Sequence, residues 1–191
     1  MLYFGSFNPI HNGHIALAEY VIEQGLCDMV TLIISPQSPY KLEAEQAAEL
    51  ARFEMAELAC QGSKYPDRIV PSAIEMLLEK PSYTINTLRY LEEVAGDRME
   101  FSILMGGDQI EGLMGWREVE KILEYPIYIY PREGMAPPER IPSQKLTLMA
   151  DAPTLDISST RIREAVKNDN PVHEWIHPKV AWYIRDHKLY K

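Results

Sequence analysis

The chain has 191 residues, 46% of them hydrophobic, which predicts one compact domain covering residues 1–191 and argues against two. Its formal charge is −9, from 19 Lys and Arg against 28 Asp and Glu, which argues against a protein that coats nucleic acid through a general basic surface. Cys27 and Cys60 form no CxxC pair, so we expect neither a disulfide framework nor a cysteine zinc site. No apolar run approaches the roughly 18 residues of a membrane span, so we expect no membrane insertion. A cytoplasmic location fits both observations best.

Strand and helix patterns alternate along the chain. In chain order, we predict a strand at 1–4, a helix at 14–26, a strand at 29–35, a helix at 43–60, a strand at 68–70, a helix at 83–94, a strand at 101–108, a helix at 110–123, strands at 127–130 and 145–150, and helices at 158–168 and 178–187.

Two of these segments carry the clearest patterns. In the first helix, Ile15, Ala18 and Ile22 form one apolar stripe. The run MVTLIIS at 29–35 is continuously apolar and rich in β-branched residues, which is typical of a strand covered on both faces. The alternation predicts an α/β fold: a Rossmann-like, doubly wound parallel sheet in a single domain with C-terminal helices. The Pro-rich segment 132–144 is predicted to be a loop within that domain.

The first strand is followed by the sequence GSFNPIHNGH. Gly5 allows a sharp turn, Pro9 stiffens the loop, and His11 and His14 are then three residues apart at the start of a helix. A helix N-terminus offers unpaired N–H groups and the positive end of its dipole, so a phosphate there would meet backbone donors and two imidazoles together. The alternative is that both histidines only cap or pack the helix.

This stretch resembles the HxGH motif of the nucleotidyltransferase superfamily, which also includes class I aminoacyl-tRNA synthetases. The common family form of the turn is Gly-Gly-Thr/Ser-Phe-Asp-Pro. Here Phe4 replaces the first glycine and Asn8 replaces the aspartate, and neither change removes a phosphate ligand.

A second candidate site is ISSTRIREAV at 157–166. Ser158 or Ser159 could cap a helix whose first turns carry Arg161 and Arg163, and arginine near a helix start is unfavourable to the dipole unless an anion is bound. A capped surface helix is the alternative. The segment resembles ISSTxIR, the second motif of the adenylyltransferase branch, and that resemblance assigns Ser159, Thr160 and Arg163 to the phosphates of ATP.

Two more strand-to-helix junctions read PSYTINTL at 81–88 and GGDQIEGLMGW at 106–116. Both resemble motifs of the bacterial nicotinate-nucleotide adenylyltransferase family, in which they line the mononucleotide pocket. A nicotinate ring is flat and carries a carboxylate, so the face of Trp116 and backbone donors near Thr84 suit it. Each junction could otherwise be an ordinary capped turn.

The resemblance, which spans most of the chain, implies a full set of site residues. It assigns to ATP the residues Gly5, Ser6, Phe7, His11, His14, Gly106, Asp108, Ile157, Ser158, Ser159, Thr160 and Arg163, with His11, His14 and Arg163 as the catalytic ones. It assigns to the mononucleotide Lys41, Thr84, Asp108, Trp116 and Arg132, and it implies no metal held by the protein itself. A solvated surface lysine is the alternative for Lys41.

The sequence HEWIH at 173–177 formally matches the HExxH zinc-protease motif. Pro178 disfavours helical geometry at His177, and Pro171 lies just upstream. The motif requires both histidines on one continuous helix, so we favour the family's C-terminal helix for the segment that begins at Pro178.

The reaction implied by the resemblance joins ATP and nicotinate mononucleotide to give deamido-NAD and pyrophosphate, with Mg²⁺ entering alongside ATP. Close alternatives are nicotinamide mononucleotide or another phosphate acceptor of the superfamily. A nucleotide-binding regulator without turnover is a more distant alternative. We expect no nucleic-acid or membrane partner, and a homo-oligomer is possible.

Overall fold

The structure is a computed structural model that describes residues 1–36, 47–132 and 143–191. Six strands form one sheet: β1 (Leu2–Gly5), β2 (Val30–Ile34), β3 (Ile69–Ser72), β4 (Ile103–Gly106), β5 (Ile127–Tyr130) and β6 (Leu146–Leu148). The helices of the described ranges are α1 (Asn12–Glu23), α2 (Glu49–Cys60), α3 (Ile74–Leu77), α4 (Thr84–Ala95), α5 (Ile110–Leu113), α6 (Val119–Ile122), α7 (Ser159–Lys167) and α8 (Pro178–Asp186).

The sheet has the strand order β3-β2-β1-β4-β5-β6, and every neighbouring pair is parallel. The order reverses direction between β1 and β4, and this is the doubly wound arrangement expected from the sequence. Ligands bind such sheets at the carboxyl ends of the strands beside this reversal. A ligand site is therefore expected at the loops that follow β1 and β4.

Alternate side chains of the strands point into two separate cores. Tyr3, Leu32 and Leu104 belong to one core, which includes buried residues of α1, α2, α7 and α8. Leu2, Ile33 and Ile103 point the opposite way and pack with α4, α5 and α6. Both faces of the sheet are thus covered, which explains why MVTLIIS is apolar throughout.

Several boundaries differ from the sequence predictions. α1 begins at Asn12, two residues early, because His11 is its N-cap. Residues 47–48, predicted as helix, lie outside α2, which begins at Glu49 with Ala48 as an extended N-cap. The rest of that prediction, 43–46, and most of the predicted loop at 132–144 lie outside the described residues. The short helix α3 was not predicted, because four residues show no periodic pattern.

The predicted helix at 110–123 is two short helices, so that prediction was wrong. Gly112 and Gly115 weaken helical structure, and Glu118 adopts the left-handed conformation with φ of 53°. The break between α5 and α6 brings Trp116 and Arg117 to a cavity instead of leaving them along a helix. Within the described ranges, no helix combines the length and apolar character needed to cross a bilayer.

Candidate active site

The loop between β1 and α1 folds tightly over the end of the sheet. Phe7 adopts a positive φ of 44° and is buried, and the peptide bond between Asn8 and Pro9 is cis. Gly13 lies so close to His11 that a Cβ atom placed there would sit 3.0 Å from Nδ1 of that ring. The glycine of the HxGH motif is therefore explained by the close approach of the first histidine.

The two histidines of the loop form a stacked pair. Their ring centroids are 3.6 Å apart with 21° between the planes, and the backbone N–H of His11 donates to Nδ1 of His14 over 3.2 Å. The His14 ring also meets Phe7 and Tyr3 edge-on, with centroid separations of 5.0 and 6.0 Å. Because Nδ1 of His14 accepts a hydrogen bond, a neutral His14 ring carries its proton on Nε2.

His11 is the more buried of the pair. Burial lowers its pKa to about 4, and the positive charge of Arg132 adds to this effect. At neutral pH, His11 is therefore an uncharged imidazole, which is able to donate or accept a hydrogen bond. Within the described residues, its Nδ1 atom is buried without a hydrogen-bond partner.

The last strand-to-helix junction packs directly against this loop. Ser159 Oγ donates to the carbonyl oxygen of Pro9 over 2.8 Å, and a guanidinium N–H of Arg163 donates to the carbonyl oxygen of Asn8 over 3.0 Å. Ser158 caps α7 by accepting from the backbone N–H of Arg161. Two junctions about 150 residues apart in the chain thus meet, as the assignment of residues from both to one ATP molecule requires.

A cavity of about 340 Å³ lies between these two junctions. Its lining includes His11 and His14 from the first junction and Ile157 and Ser158 from the last. Tyr3, Tyr130, Arg132 and residues 153–156 also line it. We call this space the first cavity.

A second cavity of about 620 Å³ opens at the ends of β1, β2 and β4. Its lining includes Gly5, Ser6, Ser35, Glu75, Ser82, Tyr83, Thr84, Asp108, Trp116, Arg117 and Arg132. Trp116 thus provides an aromatic surface, and Thr84 is the first residue of α4. Arg132 is common to both cavities, so the two spaces adjoin at this side chain.

Arg132, which follows β5, pairs with a carboxylate that follows the neighbouring strand β4. Its Nε atom lies 2.9 Å from Oδ1 of Asp108, and its guanidinium lies 6.0 Å from the ring centroid of Tyr130. A Cβ atom at Gly106 would lie 2.4 Å from Oδ1 of Asp108 and 3.2 Å from Nε of Arg132. Gly106 therefore leaves room for this ion pair at the end of β4.

The predicted site residues fall into three groups. His11, His14, Ile157, Ser158 and Arg132 line the first cavity, and Gly5, Ser6, Thr84, Asp108, Trp116 and Arg132 line the second. A third group lines neither cavity: Phe7, Gly106, Ser159, Thr160 and Arg163. Of these, Ser159 and Arg163 instead donate to backbone carbonyl groups of the first loop, and Thr160 is exposed. Lys41 lies outside the described residues.

Sequence analysis missed four residues of this region. Tyr3 donates from its hydroxyl to that of Tyr130 over 3.0 Å, and burial raises the pKa of both phenols, which stay protonated. Glu75 and Arg52 are buried charged residues of the helices α3 and α2. Charged residues within Ala- and Leu-rich segments give no signal of burial, because an exposed helix face has the same composition.

The HEWIH sequence does not form a zinc-protease helix. His177 is the N-cap of α8 and accepts from the backbone N–H of Lys179, so His173 and His177 do not share one continuous helix. This agrees with the sequence analysis, in which Pro178 argued against the motif.

The doubly wound parallel sheet, with the two motif-bearing junctions in contact at its edge, is the arrangement expected of a nucleotidyltransferase. The model of the cytidylyltransferase-like family matches residues 2–165, and the chain belongs to that family.

Relatives with similarity over the whole chain narrow this class. The chain is 37% identical over 192 residues to a protein of Flavobacterium johnsoniae named as a probable nicotinate-nucleotide adenylyltransferase, covering 100% of this chain and 97% of the relative. A protein of Bacteroides thetaiotaomicron with the same name is 38% identical over 187 residues, covering 97% and 90%. Within the larger family, the chain thus groups with the nicotinate-nucleotide adenylyltransferases, as its motifs predicted.

A solved structure shares the fold. The nicotinic acid mononucleotide adenylyltransferase of Plasmodium falciparum, complexed with NaAD, superposes with a TM-score of 0.80 at 21% sequence identity, covering 99% of this chain and 95% of the other. The same enzyme complexed with APC superposes equally well. The doubly wound sheet predicted from the sequence is confirmed.

Proposed function

We propose that this chain transfers the adenylyl group of ATP to nicotinate mononucleotide, giving deamido-NAD and pyrophosphate. The observation that carries the proposal is the pair of adjoining cavities that share Arg132. One lies between the two motif-bearing junctions, and the other has an aromatic wall. The names of the relatives support the same reaction. The whole of 1–191 would then act as one nucleotidyltransferase domain.

In this proposal ATP occupies the first cavity and the mononucleotide the second. The nucleophile is the phosphate of the mononucleotide, which is already ionised near neutral pH, so the reaction requires no protein base. The protein must align two polyanions and stabilise charge on the α-phosphate and on the leaving pyrophosphate. A shared cation between the cavities, Arg132, suits this task because the reacting phosphates would meet there.

We assign His11 and His14 to the transferring phosphate. The neutral state of His11 makes it a hydrogen-bonding group, and the fixed tautomer of His14 provides a donor at Nε2. Ser159, Thr160 and Arg163 are assigned to the leaving pyrophosphate. Arg163 also joins α7 to the first loop, so it would position the loop as well as neutralise charge.

We propose that Mg²⁺ enters bound to ATP. Among the described residues there is no group of three or more His, Cys, Asp or Glu side chains that could hold a metal ion, and Mg²⁺ commonly keeps phosphate and water oxygens as ligands. When bound, the ion would neutralise charge on the phosphate groups. Cytoplasmic location, a homo-oligomeric state and the lack of a nucleic-acid partner stay predictions from the sequence.

The decisive experiment measures pyrophosphate release from ATP with each candidate acceptor in turn. We expect nicotinate mononucleotide to be the preferred acceptor over nicotinamide mononucleotide, because the N-terminus of α4 at Thr84 favours a carboxylate over an amide. Equal kcat/KM values for these two acceptors would contradict the proposed substrate. No release with either would contradict the proposed reaction.

A further inference from the structure

Glu75 is a buried carboxylate in the wall of the second cavity. Only 2% of the residue is exposed, and it lies in the short helix α3, directly after the edge strand β3. Its Oε1 atom accepts a hydrogen bond from the hydroxyl of Thr87 over 2.8 Å. Its Oε2 atom is buried and lacks a hydrogen-bond partner among the described residues.

The surroundings of this carboxylate hold hydroxyl groups and no ion-pair partner within the described ranges. Burial raises the pKa of Glu75, while the hydroxyls of Thr87, Ser35 and Ser82 oppose that increase. Neither serine makes a hydrogen bond of ordinary geometry with Oε2. A buried carboxylate normally has a cationic partner, because desolvation of an isolated charge costs several kcal/mol.

The two arginines that line the same cavity have other partners. Arg132 pairs with Asp108, and the guanidinium of Arg117 lies 5.0 Å from the ring centroid of Tyr83. The described part of the protein therefore offers Glu75 no counter-ion, although the cavity in front of it is large enough for a mononucleotide.

A ligand could bring the missing positive charge. The oxidised pyridine ring of a pyridine mononucleotide is attached to ribose through a quaternary nitrogen, so the ring is a flat cation. Trp116 and Tyr83, in the same cavity wall, offer aromatic faces of the kind that bind flat cations. One carboxyl group and two aromatic groups thus line one space, and a cationic ring bound there would favour the ionised form of the carboxyl group.

We propose that Glu75 is a specificity-determining residue of the second cavity, whose buried negative charge selects mononucleotides with a cationic, oxidised pyridine ring over the same mononucleotides with a neutral, reduced ring. This inference rests on the proposed function and names a property of the acceptor that the family motifs do not address. Ser35 and Ser82 stand beside the carboxylate, so its action on the ring is electrostatic and does not require direct contact.

The test compares two ring states in two proteins. Binding of nicotinate mononucleotide and of its 1,4-dihydro form is measured by calorimetry for wild type and for Glu75→Gln. Glutamine has nearly the same shape and keeps an oxygen to accept from Thr87, but it has no charge. We expect Glu75→Gln to weaken binding of the oxidised ring about tenfold and binding of the reduced ring less than twofold. The reason is that only the oxidised ring carries a positive charge that the carboxylate attracts.

Glu79→Gln is the matched control, because Glu79 lies in the same segment and is exposed. It should leave both affinities unchanged. Affinity for ATP should stay the same in both variants, and equal melting temperatures of Glu75→Gln and wild type would show that the fold is intact.

Three results would overturn the inference. Equal weakening of both ring states would show that Glu75 only positions its neighbours. No change for either ring would show that the charge of Glu75 does not affect binding in the cavity. Tighter binding of the oxidised ring would show that the charge of Glu75 repels the carboxylate of nicotinate. Failure of wild type to release pyrophosphate with any pyridine mononucleotide would instead reject the proposed function, which binding measurements do not test.

Discussion

His14 is held in one orientation by contacts on several sides. The ring stacks on His11, meets Phe7 and Tyr3 edge-on, and accepts from the backbone N–H of His11. A side chain held in this way needs little reorganisation when charge develops on a phosphate beside it. Such preorganised donors contribute the largest share of many enzymes' rate enhancement.

Replacement of His14 by alanine is expected to raise the activation barrier by about 3 to 4 kcal/mol, which is the usual cost of removing one such donor. The measurement is kcat for pyrophosphate release with saturating ATP and acceptor. His173→Ala is the matched control, because His173 is exposed and lines neither of the two cavities. Turnover near that of wild type in a folded His14→Ala protein would remove the role proposed for this residue.

Among the elements, α2 supports the loop between β1 and α1 through one side chain. Arg52 is fully buried, and it donates to the carbonyl oxygens of Ser6 over 2.6 Å, Ser35 over 2.8 Å, Pro36 over 3.0 Å and Ala47 over 3.2 Å. Burial lowers the pKa of this guanidinium, and the nearby Glu49 and Tyr190 partly offset that decrease. One helix thereby holds the ends of β1 and β2 at a fixed separation beneath the site.

We expect Arg52→Met to lower the free energy of unfolding by at least about 3 kcal/mol, because several buried carbonyl groups would lose their donors. Urea denaturation measures this change. Arg185→Met on α8 serves as the control, since Arg185 is exposed and should cost less than about 0.5 kcal/mol. Similar stabilities of the two variants would show that water replaces the guanidinium at no cost.

At the scale of the whole molecule, the doubly wound sheet brings distant parts of the chain to one place. Tyr190, at the C-terminal end, donates to Oδ1 of Asn8 over 2.8 Å, and the backbone N–H of Ala47 donates to the same oxygen over 3.2 Å. Asn8 stands where the common family form has aspartate. The first loop is therefore held by residues from the early part and from the end of the chain.

Arg132 provides a test of whether the two cavities work as one site. Arg132 lines both cavities. Arg132→Met is therefore expected to raise KM for ATP and KM for the mononucleotide by roughly tenfold each, because a charged hydrogen-bonding group is lost from both binding sites. Trp116→Ala should raise KM for the mononucleotide alone, because Trp116 lines only the second cavity of the two. Initial rates with each substrate varied in turn measure both effects. If Arg132→Met changed KM for only one of the two substrates, the two cavities would not share this residue as one site.

Sequence patterns predicted the strands well because strands buried on both faces are continuously apolar, as in Val30–Ile34. They failed for 110–123, where a left-handed residue at Glu118 breaks a stretch that otherwise looks helical. The motif residues His11, His14 and Ser158 were predicted and do line the first cavity. Glu75 and Arg52 were not predicted as buried residues, because the burial of a charged side chain depends on which helices and strands cover it.

The amino-acid sequence by itself determined the parallel sheet, the positions of the two motif-bearing junctions and the family, because these depend on local patterns and short motifs. Only the tertiary structure decided that the junctions share a cavity, that Arg132 belongs to two cavities, and that Glu75 is buried without a counter-ion in the described part of the chain. The physical reason is that contact, burial and the electrostatic environment of a side chain arise from residues far away in sequence, and no local pattern contains them.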